Sequence, residues 1–370
     1  MKKRIKSILL CTVFVLMIGI LSVWFLLKGE NGYSVSERRE LAKFPKLDFE
    51  TVMNGSFTSE FEDYCRDRFP ARDSFRSVKA VSEFFIFGNT TCNGFYLHDG
   101  HIGKTEYPMN TSSLDGAAEK IKFLYDKFLS GNVENTYFSL IIDKNAFLTE
   151  GAKVLSMDYN EYEKYITEKL SFAEYISIYE LLGADDFYFT DQHWKQESIV
   201  DVADKISGAM GNPISESFEK IKLDNPFYGT YYSQAALPHE PDDIYYLTND
   251  MIESCVITSL DTGTPEKAEM YNMKNAFGRD PYEMYLCGSQ AIMRIDNPNA
   301  DTDKKLVVFR DSFGSSIVPL MVESYSSITL VDTRYIINSA FLGNYIDFSE
   351  FDDALFLYST LILNNSTMMK

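Results

Sequence analysis

The chain is poor in the residues that build metal centres and disulfide scaffolds. Its 370 residues include only 4 His, 5 Cys and 2 Trp. No cysteine stands in a CxxC pair, the spacing that marks zinc sites. Cys11 lies in an apolar N-terminal run, while Cys65, Cys92, Cys255 and Cys287 are spread so that Cys65–Cys92 and Cys255–Cys287 could pair. Positive charge is also scarce: 35 Lys and Arg stand against 54 Asp and Glu, a net charge of −19. Residues 1–30 contribute +4 (Lys2, Lys3, Arg4, Lys6 and Lys28 against Glu30), which leaves −23 for the remainder. Such a surface repels phosphate backbones and argues against nucleic acid as a partner. No internal repeat and no long low-complexity tract occurs. With 45% hydrophobic and 15% aromatic residues, the chain supports a large packed core and not disorder.

What the chain does have begins at its N-terminus. Ser7 to Leu27 is a continuous apolar run behind Lys2, Lys3, Arg4 and Lys6, long enough to cross a bilayer. Basic residues stay on the cytoplasmic side, so the rest of the chain is expected outside. The stretch Ser22 to Leu27 offers no small-x-small cleavage site, which favours an uncleaved anchor over a signal peptide. The expected organisation is a cytoplasmic tail and transmembrane anchor over 1–28, a tether and helical arm over 29–90, and an α/β domain over 91–370. Residues 211–300, rich in Asn, Pro, Tyr and Gly, read as an irregular insertion with hairpins.

Periodicity places the elements. Phe57, Phe61 and Tyr64 recur at helical spacing, and a second helix is expected from about Ser74 to Phe87. Gly94 to Ile102 reads as a hairpin turning on Asp99-Gly100. Helices are expected over Ser113–Leu129, Tyr159–Phe172 and Ile199–Met210. Buried strands are expected over Thr136–Ile142, Lys305–Phe309, Ile328–Val331 and Ala354–Tyr358, with a short strand at Asp186–Phe189. Strands alternating with helices predict a layered α/β fold with a mostly parallel sheet, whose ligands bind beyond the strand C-termini.

Two stretches carry the chemistry. Phe309-Arg310-Asp311-Ser312-Phe313-Gly314 follows a strand and opens a helix. A serine on that turn holds its hydroxyl over the sheet edge, and the helix-start N–H groups of Phe313 and Gly314 can hold a developing oxyanion. Thr190-Asp191-Gln192-His193-Trp194 supplies a base and an orienting carboxylate. In an extended segment Asp191 and His193 face the same way, so the carboxylate can accept the Nδ1 proton and leave Nε2 to activate Ser312. Arg310, Lys144, Arg334 and Trp194 are candidates to orient a carbonyl or to bind a sugar. Salt bridging, and core burial for Trp194, compete with those roles. His98-x-x-His101 together with Asp191-x-His193 could ligate zinc, but His98 and His101 flank a hairpin turn. The serine route itself needs neither metal nor cofactor.

These residues resemble a known family. Asp191-Gln192-His193-Trp194 is similar to the Asp-His-His-Trp signature of the DHHW proteins, with Gln192 in place of the first His. Arg310 to Gly314 is similar to the nucleophile block of those proteins and of AlgX/AlgJ-like SGNH hydrolases, with Arg310 where ordinary SGNH enzymes open on Gly. Ser36 to Leu41, Asp67 to Asp73 and Asp143-Lys144 fit the same pattern. The resemblance spans roughly residues 34–363. It implies an SGNH-like three-layer α/β/α fold and O-acetylation of a cell-surface polysaccharide. Ser312 would be the nucleophile, His193 the general base and Asp191 its orienter, with a membrane-bound O-acyltransferase as acyl donor. A carbohydrate esterase using the same triad, and a non-catalytic glycan-binding scaffold, are the alternatives.

Overall fold

A computed structural model describes residues 2–29, 32–34, 39–215 and 217–370. It falls into two compact units: Met1–Cys92 with Tyr232–Pro238, and Asn93–Tyr231 with His239–Lys370. The motif residues Ser36, Glu37 and Arg38 lie outside the described residues.

The first unit opens with α1, Lys2–Leu27. Its stretch Arg4–Leu27 is long and apolar enough to cross a membrane. The helical arm follows as α2, Ser56–Arg68, and α3, Arg72–Val81, which runs on into a π-helical turn over Ser82–Ile86. Cys65 and Cys92 are free thiols, and so are Cys255 and Cys287 in the second unit, so neither of the two possible pairings forms.

The second unit is built on one eight-stranded sheet. Its strands in chain order are β1 (Asn135–Ile141), β2 (Glu174–Tyr175), β3 (Val256–Ser259), β4 (Glu266–Ala268), β5 (Ile292–Asp296), β6 (Lys305–Arg310), β7 (Ser327–Val331) and β8 (Asp353–Ser359). They lie side by side as β4-β3-β5-β7-β6-β8-β1-β2. The run from β7 to β2 is parallel; β5, β3 and β4 extend it antiparallel. Part of the segment read as an irregular insertion therefore belongs to the main sheet. Its strands are short and carry polar edge residues such as Thr258, Ser259 and Lys267, which hides them from a search for apolar runs.

The central strands β6, β7 and β8 are buried along their whole length apart from Lys305. Their side chains alternate between two cores. Leu306, Val308, Leu355 and Leu357 face one cluster with Val202 and Ile206 of α6 (Val200–Ala209) and with Ile317 and Val318. Val307, Phe309, Phe356 and Tyr358 face the other, with Leu114, Ala117 and Ile121 of α4 (Thr111–Leu124) and Tyr162 and Ile166 of α5 (Tyr159–Lys169). A helix layer on each face gives the three-layer α/β/α arrangement. The expected hairpin forms from Phe95–His98 and His101–Lys104, with Asp99 at φ 46° and Gly100 at φ 80° in its tight turn. The short strand expected at Asp186–Phe189 reduces to a single bridge, Phe187 with Trp194.

Candidate active site

β6 delivers its last residues to the C-terminal edge of the sheet, between β7 and β8. Ser312 sits on the turn that follows, before a helical turn over Gly314–Ile317. Asp311, fully buried, fixes that turn. Its Oδ1 accepts the Phe313 N–H at 3.0 Å and its Oδ2 accepts the Ser359 N–H at 2.8 Å, so one carboxylate ties the nucleophile turn to the end of β8. Gly314 is required by space: a Cβ there would lie 2.7 Å from Arg310 Cβ.

The second motif arrives on the loop closed by the Phe187–Trp194 bridge. Asp191 Oδ1 accepts the backbone N–H of His193 at 3.0 Å, an Asx-type turn that folds the loop back on itself. The same oxygen lies 2.6 Å from His193 Nδ1, and His193 Nε2 lies 2.8 Å from Ser312 Oγ. Residues 119 positions apart are thus joined as a carboxylate–imidazole–hydroxyl chain. The contact to Asp191 places the proton on Nδ1 and leaves Nε2 as acceptor toward the hydroxyl.

Trp194 links the two motifs from beneath. Its Nε1–H lies 3.2 Å from Phe313 O and 2.8 Å from Ser316 Oγ, and the indole is fully buried. It is a core residue tying both loops together, and no face is open for a sugar. Lys144 is also buried. Its ammonium donates to the carbonyl oxygens of Asp191 at 2.7 Å, Tyr188 at 3.1 Å and Phe189 at 3.4 Å, and stands over the Tyr231 ring. Arg310 is buried as well, donating to Asp311 O at 3.2 Å and Ser315 Oγ at 2.9 Å, near Asp332. Only Arg334 of these four reaches solvent, and its guanidinium makes a forked pair with Asp332 at 2.9 and 2.6 Å. The sequence-level idea that Lys144, Arg310 and Trp194 touch substrate gives way to a supporting role. Each carries polar atoms that the backbone or hydroxyl groups of the Asp191 and Ser312 loops engage.

The oxyanion expectation meets a similar correction. The Phe313 N–H is engaged by Asp311 Oδ1, and the Gly314 N–H by Asp311 O at 3.1 Å. The Ser312 N–H has no intramolecular acceptor among the described residues. His98 and His101 stay on their hairpin, where the buried His101 ring packs against Phe189. Burial and the Lys144 charge push its pKa down to about 3. Among the described residues, no group of three or more His, Cys, Asp or Glu is arranged to hold a metal ion.

Several positioning residues carried no sequence signal. Asp242, buried, accepts the N–H groups of Phe189 and Thr190 at 2.8 Å each and the Thr190 hydroxyl at 2.5 Å. The Thr230 N–H donates to Asp191 Oδ2 at 2.5 Å. The Tyr282 ring stacks on His193 at 3.8 Å and 9°, while its hydroxyl meets Ser316 Oγ at 2.9 Å. All three come from the segment read as irregular. Asp242 sits in Pro241-Asp242-Asp243, which looks like an ordinary polar turn, and nothing in spacing links it to position 190.

The buried ammonium of Lys144 gives a measurable signature. Burial pushes its pKa from 10.5 down to about 7, against the opposing pull of Asp191 and Asp242. The folded value lies below the unfolded one. Between about pH 7 and 10 the unfolded chain therefore binds a proton that the folded chain lacks, and stability rises with pH. Lys144→Met removes that term. Wild type is expected to gain stability relative to Lys144→Met, measured by urea unfolding, as pH is raised from 7 to 9; a constant difference contradicts the assignment.

Neither the family models nor the curated proteins compared contain a match to this chain. Solved structures do match. A DHHW family protein from Eubacterium siraeum superposes with a TM-score of 0.60 at 20% identity, covering 75% of this chain and 94% of the other. This chain has the fold of that DHHW protein. Bacillus cereus PatB1, solved with a sulfonyl adduct, matches at TM-score 0.56 and 19% identity, over 73% of this chain and 95% of its own. The O-acetyltransferase domain of Pseudomonas putida AlgJ matches at TM-score 0.45 and 12% identity, over 73% and 92%. The DHHW-type likeness agrees with the SGNH-like three-layer architecture expected from the motifs, and at these identities it speaks for the fold.

Proposed function

We propose that this protein is a membrane-anchored, extracellular O-acetyltransferase that modifies a cell-surface polysaccharide through an acyl-serine intermediate. One observation carries the reading: the unbroken line from Asp191 through His193 to Ser312, at 2.6 and 2.8 Å, at the C-terminal rim of a parallel sheet. Polar groups in that geometry activate a hydroxyl that is otherwise a poor nucleophile at neutral pH. The acetyl and polysaccharide specificity comes from the resemblance to the DHHW and AlgX/AlgJ-like proteins, and the anchor from the apolar α1 behind Lys2, Lys3, Arg4 and Lys6.

In this mechanism Ser312 Oγ attacks the acyl carbonyl while His193 Nε2 takes its proton. Asp191 holds the Nδ1–H and stabilises the imidazolium. The Ser312 N–H, which has no acceptor among the described residues, donates to the oxyanion. Collapse of the tetrahedral species returns the proton from Nε2 to the leaving group and leaves the acyl-serine. A sugar hydroxyl then loses its proton to Nε2, attacks the ester, and Ser312 Oγ recovers the proton as it leaves. Arg334, whose side chain keeps 12% exposure on its Asp332 pair, is the residue proposed to meet the acceptor. A membrane-bound O-acyltransferase is the proposed acyl donor.

The esterase alternative uses the same side chains with water as acceptor. Incubating the full chain in detergent with an activated acetyl ester and candidate glycans separates the readings. Mass spectrometry is expected to show a 42 Da increment, the mass of an added acetyl group, on the peptide bearing Ser312, then on the sugar. Acetate release without sugar acetylation favours the esterase; no adduct and no turnover overturns both.

A further inference from the structure

The helical arm of the first unit presents an apolar stripe that the described residues of the unit leave largely exposed; only Phe75 has a ring partner there, Phe69 at 5.5 Å. Along α3 and the turn that continues it, Phe75, Val78, Phe85, Ile86 and Phe87 are 52%, 63%, 68%, 72% and 69% exposed. Positions 75, 78, 85 and 86 fall on one side of the arm, with the half-buried Ser82 between them and Phe87 at the end of the π-helical turn, so the exposed apolar side chains cluster and are not scattered. The opposite side is already used. Ala80 is fully buried, Phe84 is half-buried, and Arg76 donates to the carbonyl oxygens of Ser233 and Gln234 at 3.3 and 2.8 Å. The stripe therefore cannot turn inward without breaking contacts the arm already makes. A contiguous run of large apolar side chains in water is costly, and such faces mark a surface that something else covers.

The position of the arm says what covers it. The C-terminal end of α2 is fastened to the C-terminal end of α1. Arg68 Nε donates to Phe25 O at 3.1 Å and its Nη2 to Lys28 O, and the Tyr64 ring meets the Phe25 ring edge-on at 6.3 Å. Arg68 thus satisfies carbonyl groups left open where α1 ends. α3 starts four residues later, at Arg72. The apolar stripe therefore begins within about two helical turns of the point where α1 leaves the hydrocarbon. Lys79 of α3 is exposed, and Lys28, just past the end of α1, donates its Nζ to Phe69 O at 3.4 Å.

We propose that Phe75, Val78, Phe85, Ile86 and Phe87 lie in the headgroup layer of the same phospholipid bilayer that α1 crosses. The arm is then a second, peripheral membrane contact that fixes the orientation of the first unit at the surface. A helix with one apolar face and a basic flank binds at that depth without spanning. The inference rests on the reading of α1 as a membrane span, and the test keeps the two apart.

The full chain is reconstituted into vesicles of phosphatidylethanolamine and phosphatidylglycerol doped with a phospholipid that carries a diazirine near the headgroup end of one acyl chain. After illumination, adducts are mapped by mass spectrometry. Adducts are expected on α1 and within residues 75–87, with no other protein present. The double variant Phe85→Glu, Ile86→Glu is expected to lower adducts over 75–87 by about five-fold or more, leaving those on α1 unchanged. Adducts on α1 with residues 75–87 unlabelled overturn the proposal and point to a protein as the occupant of the stripe. Failure to label α1 overturns the anchor itself. Because both substituted residues are exposed and the wild-type map is decisive alone, the outcome does not depend on how the variant folds.

Discussion

Ser312→Ala and His193→Ala are each expected to lower kcat on an activated acetyl ester by about 10³-fold or more, and the double variant to be no worse than either alone. The reason is that the hydroxyl and the imidazole act as one unit. With Oγ gone, Nε2 has no proton to take; with the ring gone, Oγ keeps its proton at neutral pH. Asp191→Asn should fall by about 10²- to 10⁴-fold. Asp191 Oδ1 receives both the His193 N–H and the Nδ1 proton, while Oδ2 receives the Thr230 N–H. An amide can present only one oxygen to these donors. KM should change little, because none of the three side chains binds substrate apart from the reacting atoms. Ser312 and His193 variants that fold, bind ester and retain wild-type turnover would place the nucleophile elsewhere and remove the acyl-serine reading.

Gly229→Ala tests the loop support with a single methyl group. A Cβ at position 229 would lie 2.4 Å from Asp191 Cβ, 2.5 Å from Thr190 O and 2.6 Å from Asp191 Cα. Two of those atoms are backbone and cannot swing aside. Relief requires the Asp191 segment to retreat by about 1 Å, and a shift of that size costs about 10²-fold in rate when it displaces a catalytic group. The overpacking should also destabilise the fold by about 1–3 kcal/mol. The Gly229 N–H, which donates to Thr190 Oγ1 at 2.9 Å, moves with it. Gly208→Ala in α6 is the control: its nearest neighbour would be Pro213 Cβ at 3.8 Å, and alanine suits a helix interior better than glycine. Stopped-flow acylation and thermal unfolding on both variants give the comparison. Equal acylation rates in Gly229→Ala and wild type would show that the Asp191 loop tolerates displacement and is not held as described.

The support around Asp191, His193 and Ser312 explains why so many polar side chains are buried beside them. Thr190 and Asp191 are held from three directions: by Asp242 through backbone N–H groups, by Lys144 through carbonyl oxygens, and by Thr230 through the second carboxylate oxygen of Asp191. Each contact satisfies a backbone or side-chain group that would be costly to bury alone. Together they leave His193 one position, between Tyr282 and Phe313, with Nε2 aimed at Ser312. Arg310 and Asp311 do the same for the opposite loop.

The local features of this protein were legible in the one-dimensional pattern. Apolar runs at 306–309, 328–331 and 354–358 located the central strands, because a strand buried on both faces admits few polar residues. Asp99-Gly100 located the hairpin, because its turn needs positive φ at both positions. Asp-x-His and the strand-to-helix serine marked the two loops that meet at Asp191, His193 and Ser312, because each loop is shaped by contacts within a few residues.

What only the tertiary structure decided is everything that depends on distant segments meeting. Asp242, Thr230 and Tyr282 act on residues between 39 and 89 positions away, through contacts that no spacing in the sequence announces. Lys144, Arg310 and Trp194 had the right chemistry for substrate contact, but burial turned each of them toward the protein itself. Likewise β3, β4 and β5 joined the sheet by pairing along an edge, a contact made by main-chain groups common to every sequence. Periodicity fixes which face of an element is apolar; only packing fixes which element, and which polar atom, that face meets.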